Sequence, residues 1–342
     1  MREIKSNKHS LIRKFFIRLC RIFGFEIIDQ NNFNIPTSNK LLNENLSVPG
    51  KNSITIPLGE VKISRPIKSL DIILRTCMNV EMLSQTKKRI FEKNKFEYSY
   101  RTLRSIIKSI LYAKNKYKQI NFKIYIIDHN SQKNQIESFE NELKISNINY
   151  EIRNLEFDKF SKEIKNINEE NKEVSNNQKS NMSNIHQSLV LSKDECNDLV
   201  YFVEDDYIHQ EISLLEIMQT FERLASQTNE DLVICPSDYP YLYTGAETTR
   251  IYLGQNRHWR QINQTLCTFL TSKKIIKRNW IDFTSMCKFE HYPFEKPLHK
   301  IYQKELCISP IPSLATHFTN INSVYGLSPT TDWKKLWEEN EK

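Results

Sequence analysis

Glycine is scarce in this chain, which has six glycines among 342 residues. The loops that cradle phosphates in P-loop proteins and in dinucleotide-binding proteins need closely spaced glycines, and neither pattern occurs in the sequence. This scarcity argues against an NTPase, a kinase and a typical dinucleotide-binding dehydrogenase.

Other signals are missing as well. No apolar run is long enough to span a membrane, and no signal-peptide pattern is present. The seven cysteines show no Cys-x-x-Cys spacing, which predicts reduced thiols in a cytoplasmic protein. The net charge of +8 arises from 49 basic and 41 acidic residues spread along the chain, so we expect no nucleic-acid partner.

An acidic triplet follows an apolar run in the middle of the chain. Leu199–Val203 is typical of a strand buried on both faces, and Glu204, Asp205 and Asp206 come directly after it. Strand alternation predicts that Glu204 and Asp206 project together while Asp205 points the other way. Three adjacent acids repel one another, which favours a divalent cation, and oxygen ligands suit Mg²⁺ or Mn²⁺.

This stretch resembles the acid motif of glycosyltransferases with the GT-A fold, closest to the family-two type. The resemblance implies an α/β fold: a Rossmann-related mixed sheet with helices on both faces. It also implies that Asp206, with Glu204, holds a Mn²⁺ or Mg²⁺ that bridges the diphosphate of a nucleotide-sugar donor, which Asp205 also contacts. His317, near the end of the domain, is implied as a further metal ligand, although a lone histidine is more often structural.

The donor residues implied by the resemblance lie at the ends of the first two predicted strands. Arg75 and Thr76 fall at the mouth of the apolar run that begins at Leu70, and Asp128 ends the second run. Arg75 has a structural ion pair as its alternative, and Asp128 an ordinary turn. Asn184, in the helix predicted before the acid strand, is a further donor candidate.

The resemblance implies a carboxylate base that deprotonates the acceptor hydroxyl, and Glu290 is the predicted base. The match is imperfect because His291 stands where the family has a second acid. Glu295 and Asp238 are rivals for the role. Asp238 lies in a loop rich in aromatic residues, the usual lining of a sugar pocket, and is therefore also a candidate acceptor contact.

The chain is expected to consist of an N-terminal arm, a catalytic domain with a donor half and an acceptor half, and a short C-terminal helix. The stretch 161–183 is polar, which predicts a flexible loop or an insertion. The predicted ranges are 1–68 for the arm, 69–330 for the domain with halves 69–210 and 211–330, and 331–342 for the helix.

Residues 10–24 form a predicted basic amphipathic helix. Such a helix either docks on its own domain or contacts an anionic membrane, here the inner face of the cell membrane.

The predicted function is metal-dependent transfer of a sugar from a nucleoside-diphosphate sugar to a hydroxyl of a glycan or lipid-linked glycan, with inversion. Two alternatives stay open at this point. One is a metal-dependent nucleotidyltransferase or phosphohydrolase, and the other is a non-catalytic glycan-binding pseudo-transferase.

Overall fold

The chain divides into two compact units, Met1–Lys62 and Ile63–Lys342. The structure, a computed structural model, describes residues 11–25, 62–79, 89–168, 170–244, 249–288, 295–319 and 323–341. Within the first unit it describes one helix, α1 (Leu11–Ile22), which confirms the predicted N-terminal amphipathic helix.

The second unit is built on a mixed sheet whose strands we number in chain order. They are β1 (Ser69–Thr76), β2 (Asn121–Asp128), β3 (Asn149–Asn154), β4 (Leu199–Glu204), β5 (Tyr207–His209), β6 (Val233–Ile234), β7 (Ile251–Leu253), β8 (His258–Gln261), β9 (Phe269–Ser272), β10 (Cys307–Ile311) and β11 (Ala315–His317). In the described ranges the main sheet has the order β3-β2-β1-β4-β9-β6-β10-β8-β7, and β5 and β11 form a separate pair.

Helices cover both faces of this sheet. They are α2 (Lys95–Lys114), α3 (Lys133–Ile145), α4 (Asn176–Asp194), α5 (Ser213–Thr228), α6 (Lys273–Arg278), α7 (Trp280–Ser285), α8 (Lys296–Tyr302) and α9 (Trp333–Glu338). Helix α2 packs on α3 and α5, whereas α4 packs on α6 and α7. Right-handed crossovers place α2 and α3 on one face and α4 on the other, because the chain reverses direction across the sheet after β3. The predicted fold class is confirmed.

The strand order reverses within the parallel part of the sheet. β3, β2, β1 and β4 are parallel neighbours, so the chain moves outward from β1 to β3 and then returns to place β4 on the other side of β1. Open α/β sheets bind ligands at the carboxyl ends of the strands where the order reverses. Here that point lies between β1 and β4, whose register sets Arg75 opposite Glu204.

The polar stretch 161–183 is not a loop throughout, because α4 already begins at Asn176. Ser175 caps this helix by accepting a hydrogen bond from the backbone N–H of Gln178. The prediction of a loop was wrong for residues 176–183. The helix was missed because the buried face of α4 is largely polar. Ser188, for example, is buried and donates to the Asn184 carbonyl at 2.7 Å, so apolar periodicity gives no signal.

Residues 63–68, which the sequence placed in the arm, are bound to the second unit. The guanidinium of Arg65 pairs with Asp198 at 2.6 Å and with Asp231 at 2.9 Å, and Ile67 is buried. The ion pairs anchor the segment that leads into β1.

The C-terminal helix α9 completes a small aromatic core. The Trp337 ring lies 4.2 Å from Phe91 and 4.7 Å from Tyr98, measured between centroids, and the Arg101 guanidinium stacks over it at 4.3 Å. This packing gives α9 a structural role.

We expect Trp337→Ala to lower the free energy of unfolding by about 3 to 5 kcal/mol, because it empties a buried aromatic site. Trp333→Ala on the same helix is the matched control: its ring is only partly buried, and the loss should be about 1 kcal/mol. Urea unfolding of both variants checks this, and equal losses would contradict it.

Candidate active site

The fold brings Asp206 and His317 together. The chain turns after Glu204 and re-enters as β5, which pairs antiparallel with β11 so that Tyr207 faces His317. Their rings stack with centroids 4.5 Å apart and planes 4° from parallel, and His317 Nε2 lies 3.3 Å from Asp206 Oδ2. Both side chains are mostly buried. Two residues far apart in sequence therefore form one polar pair at the end of β4.

The hydrogen bond between His317 Nδ1 and the Tyr325 carbonyl defines which ring nitrogen of His317 carries a proton. Nδ1 lies 2.8 Å from the carbonyl oxygen of Tyr325, which can only accept, so Nδ1 carries a proton. Burial lowers the pKa of His317, but the charges of Asp206 and Glu204 more than offset this and leave the pKa raised. Burial likewise raises the pKa of Asp206, and His317 offsets it so that the pKa is lowered. Each group therefore favours the charged form of the other.

Glu204 is paired with Arg75, as the register of β1 and β4 requires. Arg75 Nη2 donates to Glu204 Oε1 at 3.0 Å, and Nη1 donates to Asn181 Oδ1 at 3.0 Å. Burial raises the pKa of Glu204, Arg75 lowers it in part, and the Asp206 charge raises it further. The structural ion pair that was the alternative for Arg75 is present.

Asp205 has a different set of partners from its two neighbours. Its Oδ2 accepts from Ser99 Oγ at 2.8 Å and from the Cys77 backbone N–H at 3.4 Å, and it lies 3.4 Å from Lys95 Nζ. Each of the three acids therefore has its own compensating group, so repulsion within the triplet does not by itself require a cation.

Two donor candidates, Thr76 at the end of β1 and Asp128 at the end of β2, are hydrogen-bonded to each other. Thr76 Oγ1 donates to Asp128 Oδ1 at 2.7 Å, and Asp128 also accepts from the Ser131 hydroxyl at 2.6 Å and from its backbone N–H at 3.1 Å. Asn184 donates to the carbonyl of Ile127 at 3.0 Å. These contacts fix the carboxyl ends of β1 and β2, and direct donor contact by these side chains stays a prediction.

The sequence did not single out His129, which follows Asp128. Its ring stacks with Phe157 at 6.3 Å between centroids and 18° between planes, and both side chains are partly exposed. His129 Nδ1 lies 2.6 Å from Ser180 Oγ. In the sequence, His129 directly follows β2 and Phe157 follows β3. That their rings stack could be known only from the fold.

The predicted base Glu290 lies outside the described residues. Asp238 is 1% exposed and compensated: Arg260 Nη2 lies 3.1 Å from its Oδ1, and the Tyr243 hydroxyl donates to its Oδ2 at 2.5 Å. Burial raises the pKa of Asp238, and these two partners lower it in part. The geometry gives Asp238 a pairing role, and its catalytic role stays a prediction.

Glu295 and Asp238 are buried carboxyls that each have one oxygen without a hydrogen-bond partner among the described residues, but Asp238 Oδ1 lies 3.1 Å from Arg260 Nη2. Glu295 is 3% exposed, and its Oε2 has no hydrogen-bond partner in the part of the chain that the structure describes. Burial raises its pKa to about 8, the charge of Glu204 adds to the rise, and Arg75 and His317 counteract it. The groups that act on the pKa of Glu295 are thus Glu204 of the acidic triplet and two residues beside the triplet, Arg75 and His317.

The donor atoms at Asp206 and His317 fit a divalent cation. A ligating histidine usually donates its other ring N–H to a carbonyl or carboxylate, as Nδ1 does to Tyr325, and an ion would replace the Nε2 proton. Within the described ranges no three His, Cys, Asp or Glu side chains are arranged to hold a metal. Glu204, the third predicted ligand, faces Arg75. Mg²⁺ and Mn²⁺ accept such a partial set, because water and substrate phosphates complete their coordination.

Aromatic residues surround the far side of His317. Tyr207 and Tyr239 share a hydrogen bond between their hydroxyls at 2.7 Å, and Tyr241 and Tyr325 lie with ring centroids 4.9 Å apart. Tyr325 also supplies the carbonyl that holds His317. The predicted aromatic loop therefore lies next to the Asp206–His317 pair. No sequence pattern predicted that Tyr325 would belong to this group.

No family model matches the chain, and no curated protein matches it. The fold resembles solved structures of nucleotide-sugar enzymes. A UDP-glucose pyrophosphorylase bound to UDP-glucose is 7% identical, with a TM-score of 0.37 over 73% of this chain and 92% of that one. The galactosyltransferase LgtC with donor and acceptor sugar analogs is 10% identical, with a TM-score of 0.35 over 79% of this chain and 94% of that one. The UTP-bound UGPase of Acinetobacter baumannii is 8% identical, with a TM-score of 0.36 over 80% of this chain and 93% of that one. These scores are too low to carry an argument about the reaction, which rests on the site.

We expect Glu295→Gln to stabilise the protein at high pH. The folded-state pKa of Glu295 is raised from the usual 4.5 to about 8, so the wild type loses stability as pH rises through this window. Glutamine does not titrate, so its advantage over wild type should grow by roughly 3 to 5 kcal/mol between about pH 5 and about pH 9.

Urea unfolding at both pH values measures this difference. Glu305→Gln is the matched control, because Glu305 is also buried but is compensated by Arg278 and by Asn279 at 2.6 Å. That variant should be less stable than wild type at both pH values. A Glu295→Gln difference that does not change with pH would contradict the prediction.

Proposed function

We propose that the second unit is a glycosyltransferase that moves a sugar from a nucleoside-diphosphate sugar to a hydroxyl acceptor, with inversion. The observation that carries the proposal is the Asp206–His317 pair just after β4, beside which the strand order reverses, together with the buried carboxyl of Glu295, whose pKa responds to Glu204 and His317.

The donor would lie across the carboxyl ends of β1, β2 and β4. Nucleotides bind at such reversal points in open α/β sheets. The partly exposed rings of His129 and Phe157 offer a surface for the nucleobase at the end of β2. The diphosphate would then reach the end of β4, where Asp206 and His317 lie.

Asp206 and His317 are the residues that would hold a divalent cation. When bound, such an ion neutralises the charge that grows on the leaving diphosphate. The protein contributes the orientation of both groups: Tyr207 stacks on the His317 ring, and the Tyr325 carbonyl sets the direction of its Nε2. Arg75 keeps Glu204 compensated, so that the local negative charge is concentrated on Asp206.

Glu295 is the proposed base for the acceptor hydroxyl. A general base needs a free carboxylate oxygen within reach of the proton it takes, and Glu295 Oε2 has no partner among the described residues. The proton of the acceptor oxygen passes to Oε2 as that oxygen attacks the anomeric carbon, and the bond to the diphosphate breaks on the opposite side. A single displacement of this kind inverts the configuration.

We expect Asp206→Asn to lower turnover by roughly 10²- to 10³-fold, because it removes the charge that orients His317 and completes the cation site. The assay screens UDP-, GDP-, CMP- and dTDP-sugars by thermal shift with and without Mn²⁺, then follows release of nucleoside diphosphate. One donor should raise the melting temperature only with Mn²⁺, and the variant should lose that shift.

Asp282→Asn is the control, because Asp282 pairs with Lys304 at the surface, 2.9 Å apart. It should keep both the shift and the turnover. Release of pyrophosphate from a nucleoside triphosphate and a sugar phosphate would instead identify a nucleotidyltransferase. Donor binding that persists unchanged in Asp206→Asn, without turnover in either protein, would identify a binding module.

A further inference from the structure

Helix α1 exposes a row of large apolar side chains. Ile12, Phe15, Phe16 and Ile22 are 82%, 68%, 56% and 74% exposed. At about 100° per residue these positions fall within one half of the helix circumference. Burying such side chains is strongly favourable, so an apolar face of this size indicates a partner.

The charged residues of α1 are all basic. Positions 13, 14, 18 and 21 carry arginine or lysine and fall on the opposite arc, and the helix Leu11–Ile22 contains no acidic residue. A helix that has large exposed apolar residues on one side, and whose charges are all positive and lie on the other, complements a surface that is apolar inside and anionic outside, as a bilayer with anionic headgroups is.

The helix is a defined, short element. Gly24 has a φ of 81°, a conformation that glycine adopts without strain, and the Phe25 backbone N–H donates to the Cys20 carbonyl at 2.9 Å. Twelve residues span about 18 Å, less than the roughly 30 Å of a hydrocarbon core. In the described ranges no helix is long and apolar enough to cross a bilayer.

A second copy of the chain is a weaker occupant of this face. A helix about 18 Å long and about 10 Å wide covers on the order of 200 Å² per partner, whereas stable interfaces bury about 800 Å² per partner. The membrane offers the same apolar contact without this limit.

We propose that α1 lies flat on an anionic membrane surface, with Ile12, Phe15, Phe16 and Ile22 inserted at the boundary between headgroups and acyl chains. The basic positions then lie at the level of the anionic headgroups. This inference does not depend on the reaction that the second unit catalyses.

The test is flotation of the full chain with vesicles of phosphatidylcholine alone and of phosphatidylcholine mixed with phosphatidylglycerol. The wild type should float with the anionic vesicles and stay behind with the neutral ones. Phe15→Ser with Phe16→Ser should weaken binding by roughly tenfold per residue. Arg18→Glu should weaken it as well, and so should raising the salt from about 0.1 M to about 1 M, which shortens the Debye length from about 10 Å to about 3 Å.

Ile145→Ser is the control, because Ile145 is equally exposed, at 83%, at the end of α3 in the second unit. It should float as the wild type does. The proposal is overturned if the wild type ignores anionic vesicles, if it binds neutral vesicles equally well, or if Ile145→Ser loses as much binding as the double variant. Sedimentation velocity without vesicles would also overturn it by showing a dimer that the double variant loses.

Discussion

The site depends on one buried ion pair, between Asp206 and His317. Each group alone would be costly to bury, and each makes the other's charged form tolerable. The pair exists because β5 and β11 are hydrogen-bonded to each other, and because the Phe318 backbone N–H donates to the Asp206 carbonyl at 2.8 Å. The short two-stranded sheet therefore joins the segment that follows β4 to β11, the last strand in the described ranges.

The acids of the triplet show how the protein separates charge within three consecutive residues. Arg75 compensates Glu204, Lys95 and Ser99 hold Asp205, and His317 pairs with Asp206. The argument from sequence, that adjacent acids call for a cation, was therefore too simple. The case for a cation depends instead on the direction of His317 Nε2 and on the carboxylate beside it, which together form a partial ligand set open to water and phosphate.

Much of the fold could be predicted because β1, β2 and β4 are continuous apolar runs ended by polar residues, and the resemblance at the acid triplet indicated where His317 would go. The β4 prediction held because all of Leu199–Val203 is buried. The start of α4 was missed because its buried face is polar. The Arg75–Glu204 pair depends on strand register, and the burial of Glu295 depends on long-range packing. No local sequence pattern predicts either of them.

Two buried acids, Asp238 and Glu295, differ in how their charge is compensated. Both have raised pKa values, and burial is the main cause in each. At Asp238 the charge is offset, because Arg260 Nη2 lies 3.1 Å from Oδ1 and the Tyr243 hydroxyl donates to Oδ2 at 2.5 Å. Glu295 has a backbone contact and the distant influence of Arg75, yet one oxygen is left without a partner among the described residues. This difference supports the proposal of Glu295 as the base, because natural sequences depart from internal consistency mainly where function requires it.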